Sequence, residues 1–170
     1  NTYFKNYLKY KLATLDAASG FSKTYLFKNY LNSKIEYKSL EYMQFFNQTF
    51  TKHLEQLAGT SKGVAIESSI SLKRNYASAM SAIFKADTLF KNDTLRELLL
   101  LKGLNEFYYL QKINKRNVLS LITHVEQKGL GSGNKKIAHN LLLLLTKMQE
   151  GTPAPAFELV DQNKKKVKLE

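Results

Sequence analysis

The sequence predicts an all-α fold, an irregular array of seven or eight mostly antiparallel helices with a short extended or hairpin tail at the C-terminus. Three observations predict it. Apolar residues recur every three or four positions through most of the 170 residues, as on one face of a helix. The only two prolines lie near the end, so little interrupts the helices before them. No alternating strand pattern precedes residue 156.

Four helices are predicted in the first 72 residues. The first spans residues 3–17 and ends before Gly20, and the second spans residues 22–32. The strongest period falls in residues 40–58 and predicts one long helix, whereas residues 62–72 give a weaker signal because a glycine and several serines dilute it. The expected core positions are Phe4, Leu8, Leu12 and Leu15 in the first helix, Leu26, Phe27, Tyr30 and Leu31 in the second, Met43, Phe46, Phe50, Leu54 and Leu57 in the third, and Val64, Ile66 and Ile70 in the fourth.

Two helices are predicted between residues 76 and 111. The first begins at Tyr76, and a loop at residues 87–93 follows it. Thr94 and Glu97 match a capping box, which predicts that the second helix starts there and runs to Gln111. The expected core positions are Tyr76, Met80, Ile83 and Phe84 in the first of these helices and Leu95, Leu98 and Leu99 in the second.

Two further helices complete the predicted array. Asn114 is expected to cap the first of them and Gly129 to close it. The last helix is predicted at residues 132–148, with Gly151 as its stop signal. The expected core positions are Val118, Leu119, Ile122 and Val125 in the first, and Ile137, Leu141, Leu144, Leu145 and Met148 in the last.

The composition excludes thiol chemistry by this chain. Without any cysteine it can form no disulfide and no thiolate zinc site. No apolar run approaches the roughly 20 residues needed to span a bilayer. The formal net charge of +12 would attract nucleic acid, anionic lipid or an acidic partner. Lysines are spread at about one per turn, however, so a solvated surface is the favoured interpretation.

No residue is assigned a catalytic, cofactor-binding or metal-binding role. His53, His124 and His139 have no metal-ligand spacing, so surface or boundary positions are expected. The glycine-rich stretch at residues 129–135 lacks the glycine before its lysine and a preceding strand, so it is interpreted as an interhelical loop rather than a phosphate loop. The ten tyrosines are expected to pack beside helical stripes rather than stack bases.

The carboxylates show no pairing that would predict a general acid and base. They include Glu36, Glu41, Asp87, Asp93, Glu97 and Glu106. The sequences around Thr88 and Thr94, each an Asp-Thr-Leu, resemble an O-glycosylation acceptor of some extracytoplasmic bacterial proteins. Intact mass would detect such a modification.

The last twenty residues leave the helical pattern. Pro153 and Pro155 cannot continue a helix, and each pushes the residue before it into extended geometry. Apolar residues then alternate on either side of a polar turn at residues 161–164, which is the pattern of a hairpin with one buried face. These residues are Phe157, Leu159, Val167 and Leu169. Because one hairpin alone is barely stable, we expect the tail to open a domain that continues. The sequence shows no signal peptide and no initiator methionine, so we expect Asn1 to be an internal residue of a longer chain.

Residues 151–170 resemble the opening of TlpA-like (AhpC/TSA-type) thioredoxin-fold domains. Those domains typically begin with Gly, a few residues, Ala-Pro-Asp-Phe, a hydrophobic residue, Asp-x-x-Gly-Lys and a Val-x-Leu strand. Ala156 replaces the usual Asp and Asn163 the usual Gly, and Asn tolerates the left-handed backbone of such a turn. The matching residues are Gly151, Ala154, Pro155, Phe157, Leu159, Asp161, Lys164, Val167 and Leu169. The family's Cys-x-x-Cys motif and cis-proline lie further downstream.

The helical part is more loosely similar to the region that precedes the redox domain in extracytoplasmic thioredoxin-like proteins of one bacterial lineage. The similar phrases are residues 6–11, 41–48, 96–104 and 136–138. The resemblance implies a helical domain at residues 1–150 and the start of a thioredoxin-like domain at residues 151–170. The helical domain would be a non-catalytic accessory that positions or docks the redox module of a periplasmic or membrane-anchored thiol-disulfide oxidoreductase, such as a lipoprotein.

The partners implied are the thioredoxin-like domain of the same polypeptide or another protein, with membrane contact only through an anchor outside this chain. No cofactor is expected. The alternative is a freestanding basic helical protein that binds nucleic acid or acidic proteins, although nucleic acid is not favoured. Salt-dependent affinity for random duplex would support that alternative. A hydrolytic function has no residue constellation behind it.

Overall fold

Helices form nearly all of the described body. The computed structural model describes residues 2–32, 34–72, 74–110, 113–147, 157–160 and 165–169. The first half contains α1 (Thr2–Ala18), α2 (Lys23–Leu26), a π-helical segment (Phe27–Leu31), α3 (Leu40–Thr49), α4 (His53–Ala58) and α5 (Val64–Ser71). The second half contains α6 (Tyr76–Ala86), α7 (Asp93–Tyr108), α8 (Lys115–Lys128), α9 (Ser132–Thr146) and the strands β1 (Phe157–Val160) and β2 (Lys166–Leu169). The predicted all-α array with a hairpin tail is confirmed.

Short polar side chains start most of these helices. Asn114 accepts the Arg116 N–H at 2.9 Å, which confirms the predicted cap of α8. The predicted cap at Thr94 is wrong, because Asn92 accepts the Leu95 N–H and α7 begins one residue before Thr94. Equivalent side-chain caps are Ser22 for α2, Ser39 for α3 and Asn75 for α6.

The predicted single helix at residues 40–58 is wrong. The chain breaks between α3 and α4, where Lys52 adopts a left-handed conformation with φ of 54°. Glu106 accepts the Lys52 N–H at 3.1 Å and so fixes the break to α7. The break lets α4 approach α7 at Gly103, where a Cβ would lie 2.2 Å from the Leu54 side chain. Tertiary packing therefore overrides a continuous apolar period.

The core begins with aromatic residues of α1 and α3. Tyr10 meets Tyr42 edge to face with ring centroids 5.0 Å apart, and it also stacks on Phe45. Phe90 lies in the predicted loop before α7, yet it is fully buried and packs edge-on against Phe27. A loop residue thus closes one end of the core.

Helix α7 is the central element. It contacts α4, α6, α8 and α9, and its residues from Leu95 to Leu101 are all buried. This stretch is buried on every side of the helix, so its sequence carries no narrow apolar stripe. The other helices surround it, and α8 and α9 form the most extensive neighbouring pair.

Several predicted core positions prove to be exposed. Val64, Phe84 and Leu144 each expose more than two fifths of their surface. In α1 the whole predicted stripe is exposed, and the buried positions are instead Tyr10 and Ala13. The predicted helix ends at Gln111 and Met148 lie outside the described residues.

The two strands of the predicted hairpin are present, whereas its predicted turn at residues 161–164 and the predicted stop at Gly151 lie outside the described residues. Strands β1 and β2 pair antiparallel, and the register sets Phe157 opposite Leu169 and Leu159 opposite Val167. The four residues predicted for one face are therefore cross-strand partners. Among the described helices, none has the length and apolar character needed to cross a membrane.

Candidate functional site

An apolar stripe along α1 faces solvent. Phe4, Leu8, Leu12 and Leu15 expose 56%, 50%, 53% and 63% of their surface. We call these four residues the α1 stripe. Their spacing of three and four residues places them on one side of the helix. Large apolar side chains grouped on a surface mark a contact site more often than scattered ones do.

The opposite side of α1 holds the helix to the body. Ala13 is fully buried, and its small side chain allows close approach of the neighbouring helix. Tyr10 supplies the aromatic contact with α3, and Asp16 accepts the Tyr30 hydroxyl at 2.6 Å. The side of α1 that carries Tyr10 is therefore buried in the core, and the leucine side is not, because the Tyr10 side makes both ring contacts and a hydrogen bond.

Lysines flank the α1 stripe. With 3.6 residues per turn, Lys5 and Lys11 fall at its two edges. Asp16 is the sole acidic residue in the helix sequence, and the Tyr30 hydroxyl occupies it. The stripe thus suits an apolar surface rimmed by carboxylates.

A second feature is a polar chain that links three distant segments. The ammonium of Lys23 lies 2.8 Å from His53 Nδ1 and 3.3 Å from Gln56 Oε1. His53 Nε2 lies 3.0 Å from Asp87 Oδ2. Because a lysine ammonium can only donate, Nδ1 accepts and Nε2 carries the proton donated to Asp87. The imidazole is buried and touches the rings of Phe50 and Phe90.

Burial and charge shift the pKa values at both ends of this chain. Burial lowers the pKa of Lys23, and the negative charge of Asp87 only partly opposes that shift. Burial alone would raise the pKa of Asp87. Hydrogen bonds from His53 and the Leu89 N–H, with the positive charge of Lys23, outweigh burial and hold that pKa below its usual range.

Lys23 also lines a pocket of about 360 Å³ between α1 and α3, which we call the Lys23 pocket. Its lining is mostly small or apolar: Thr14, Ala17, Ala18, Phe21, Lys23, Leu26, Gln48 and Thr49. The hydroxyl oxygen of Thr49 is buried and has no hydrogen-bond partner among the described residues. A buried hydroxyl in that state carries an uncompensated desolvation cost.

A basic cleft of about 380 Å³ lies between the π-helical segment and the start of α7. Lys28, Lys34 and Lys91 line it, and none of its described lining residues carries a carboxylate. The remaining lining is Thr24, Phe27, Leu31, Asn32, Thr88, Leu89, Asn92 and Leu95. This cleft is suited to an anionic group.

Glu97 is a structural hub rather than a capping residue. Its buried carboxylate accepts the Tyr76 hydroxyl, the Leu130 N–H and the Asn134 amide at 2.8 Å. Asn134 in turn accepts the Tyr37 hydroxyl, and burial with the charge of Glu97 raises the pKa of Tyr37 to about 12. Each described contact of this carboxylate is with a neutral donor, so among the described residues the network ties α7 to α6 and α9 without an ion pair.

The expectation of surface or boundary histidines is wrong for His53, which is buried in the polar chain. His124 stacks on Tyr76 at the boundary of the core, and His139 is exposed and bonds Glu126 at 2.7 Å. Within the described ranges, no three His, Cys, Asp or Glu side chains lie together as a metal site would require.

The glycine-rich stretch is partly as predicted. Gly129 ends α8, and Gly131 precedes α9. Residues 132–135 belong to the first turn of α9 rather than to a loop. Gly133 is required there because a Cβ would lie 2.5 Å from the Tyr37 ring.

The two Asp-Thr-Leu sites differ in accessibility. Thr88 is exposed in the turn before α7, beside the basic cleft. Thr94 is partly buried in the first turn of α7, and its carbonyl accepts the Asn134 amide. Glycosylation at either residue stays a prediction.

Sequence inspection missed the Lys23–His53–Asp87 chain. Its members are 30 and 34 residues apart, so no local spacing brings them together. The one local signal is the buried Phe50 before His53, which indicates that the imidazole follows a core residue.

Comparisons with protein-family models, with curated proteins and with solved structures find no match for this chain. Function is therefore proposed from the residues, their geometry and the stated resemblance.

Proposed function

We propose that the helical body is a docking module that positions a thioredoxin-like domain of the same polypeptide through the α1 stripe. The single observation that carries the proposal is the exposure of four large apolar side chains on one side of α1. The module takes no part in thiol chemistry itself, because the sequence has no cysteine. Following the resemblance, the parent protein is an extracytoplasmic thiol-disulfide oxidoreductase.

The size of the stripe favours a tethered partner. Covering the exposed half of each side chain would contribute about 1 kcal/mol, or about 4 kcal/mol for the four. That free energy corresponds to a dissociation constant of about 1 mM, which is weak between separate molecules. A short linker supplies a millimolar effective concentration, so the same contact suffices within one polypeptide.

The hairpin supports the same interpretation. Its register pairs the four apolar residues that match the opening of a TlpA-like domain. Two strands need a further strand or helix to become stable. The proposed thioredoxin-like domain would supply it.

The first test is the reading frame that encodes the chain. We expect it to continue past Glu170 with a hydrophobic strand and a Cys-x-x-Cys motif some tens of residues onward. A stop codon within a few residues of Glu170 would overturn the proposal.

The second test is hydrogen exchange of α1 in the 170-residue chain and in the longer polypeptide. We expect slower exchange of α1 amides in the longer polypeptide, and a Leu8→Asp/Leu12→Asp double variant should abolish the difference. Leu144→Asp adds a charge at an equally exposed leucine on α9 and should leave it intact. Equal exchange of α1 in both proteins would contradict docking at this surface.

A second candidate function follows from the basic cleft. A freestanding binding protein for acidic proteins or nucleic acid would use its three lysines, Lys28, Lys34 and Lys91. The logarithm of the affinity for a labelled random duplex or polyglutamate should then fall linearly with the logarithm of the salt concentration. Absence of binding at about 50 mM salt, where such contacts are strong, would eliminate this candidate.

A further inference from the structure

We propose that Lys23 is a reactive amine that condenses with small aldehydes or ketones held in the Lys23 pocket. This activity is independent of docking through the α1 stripe. It rests on the arrangement of Lys23, His53 and Asp87 and on the pocket that the Lys23 residue lines. Three different segments, α2, α4 and the turn after α6, bring these groups together.

The hydrogen bonds give the amine a route to lose its proton. Lys23 donates to His53 Nδ1 at 2.8 Å, and the opposite nitrogen of that ring donates to Asp87 at 3.0 Å. When His53 takes the proton, it becomes an imidazolium that the Asp87 carboxylate stabilises. This is the order of nucleophile, base and orienting carboxylate used to activate nucleophiles in general.

The condensation balances with these groups alone. The free amine attacks the carbonyl carbon, a C–N bond forms, and the carbonyl π electrons move to oxygen, which takes the proton from His53. The carbinolamine nitrogen then returns a proton to His53. His53 passes it to the hydroxyl group, which leaves as water. The products are a protonated imine on Lys23 and one water molecule, so no oxidant or metal is needed.

The pocket supports the same ligand class. Its apolar walls, including Phe21 and Leu26, suit a short aliphatic group beside the carbonyl. Lys28 and Lys91 are exposed and also line a cleft, but neither has a described hydrogen bond to an imidazole, so they serve as internal comparators in the same molecule.

The test is reductive trapping with butanal and cyanoborohydride at neutral pH, followed by mapping of the modified lysines by mass spectrometry. We expect the wild-type chain to be labelled at Lys23 at least about tenfold faster than at Lys28 or Lys91. Labelling of Lys23 at the rate of the comparators, or more slowly, would overturn the proposal. This outcome needs no variant and so does not depend on the folding of one.

Variants then separate the roles. His53→Gln, with its helix content verified by circular dichroism, should bring Lys23 down to the rate of Lys28. Unchanged selectivity in a folded His53→Gln variant would refute proton acceptance by His53.

Asp87 is a positioning residue that acts through His53. Asp87→Asn should slow labelling of Lys23, and the ¹⁵N shifts of the His53 ring should show loss of the Nε2–H tautomer. A merely structural role would leave the tautomer unchanged. An unaltered tautomer together with slower labelling would contradict the role given to Asp87.

Discussion

At the scale of single residues, buried polar side chains differ in whether they have a hydrogen-bond partner, and this difference leads to testable effects on stability. Tyr42 and Tyr108 are both buried tyrosines, but only the Tyr108 hydroxyl has a described backbone partner, Leu145 O at 2.9 Å. The Tyr42 hydroxyl has no partner in the described part of the chain. Burial raises the pKa of Tyr42, so the hydroxyl stays neutral and carries only its desolvation cost.

We therefore predict opposite effects for the same substitution at the two tyrosines. Tyr42→Phe should raise the free energy of unfolding by about 1 to 2 kcal/mol, because it removes an unsatisfied group. Tyr108→Phe should lower it by about 1 kcal/mol, because it leaves a buried carbonyl unpaired. Urea denaturation measures both. A loss of stability in Tyr42→Phe would show that water or another group satisfies the hydroxyl.

The carboxylate of Asp87 predicts a pH dependence of stability. Its pKa is lower in the folded protein than in the unfolded chain, so its contribution is present above about pH 4. The contribution is lost as the pH falls through the folded pKa. Asp87→Asn should cost about 1 to 3 kcal/mol at pH 6, and the difference from wild type should shrink below about pH 4.

Denaturation midpoints between pH 2 and 7 provide the measurement, because this range lies on both sides of the usual Asp pKa of about 3.9. Asp93→Asn is the control. Like Asp87, the Asp93 carboxylate contacts a basic side chain, that of Arg96, but the Asp93 side chain is 65% exposed. A cost for Asp87→Asn that stays constant across this range would contradict the lowered pKa.

At the scale of helices, the sequence predicts which segments are helical better than it predicts which side of a helix is buried or where a helix is interrupted. Asn114 and Gly129 delimit α8 as expected, because capping is local chemistry. The break at Lys52 and the orientation of α1 depend on contacts with distant helices. For the same reason the exposure of the α1 stripe and the Lys23–His53–Asp87 chain could not be predicted from spacing alone. Thr94 and Glu97 fit a local capping pattern, yet Glu97 serves α6 and α9 instead.

The hub at Glu97 predicts how strongly these helices depend on one side chain. Glu97→Gln should lower the free energy of unfolding by about 2 to 4 kcal/mol, because an amide leaves at least one buried donor unpaired. Glu55→Gln, at a partly exposed position in α4, is the matched control and should change stability by less than about 0.5 kcal/mol. Thermal or urea denaturation followed by circular dichroism provides the comparison. Equal effects would mean that the hub is dispensable.

At the scale of the whole molecule, the position of α7 explains the rest of the array. Since α7 is surrounded by α4, α6, α8 and α9, α1 lies outside this central group and contacts α2, the π-helical segment and α3. A peripheral helix needs only one side for the core. Its second apolar side is then available for contact with another surface, as the proposed docking requires.

Substitution of leucine by alanine should have different effects on stability in the α1 stripe and in α7. Leu12→Ala lies in the α1 stripe and should change the free energy of unfolding by less than about 0.5 kcal/mol, because little buried surface is lost. Leu104→Ala lies in α7, where the side chain is fully buried, and should cost about 2 to 5 kcal/mol. Urea denaturation of the 170-residue chain compares the two directly. A cost above about 2 kcal/mol for Leu12→Ala would mean that the leucine side of α1 faces the core, as its period alone predicts, and the docking surface would then not exist.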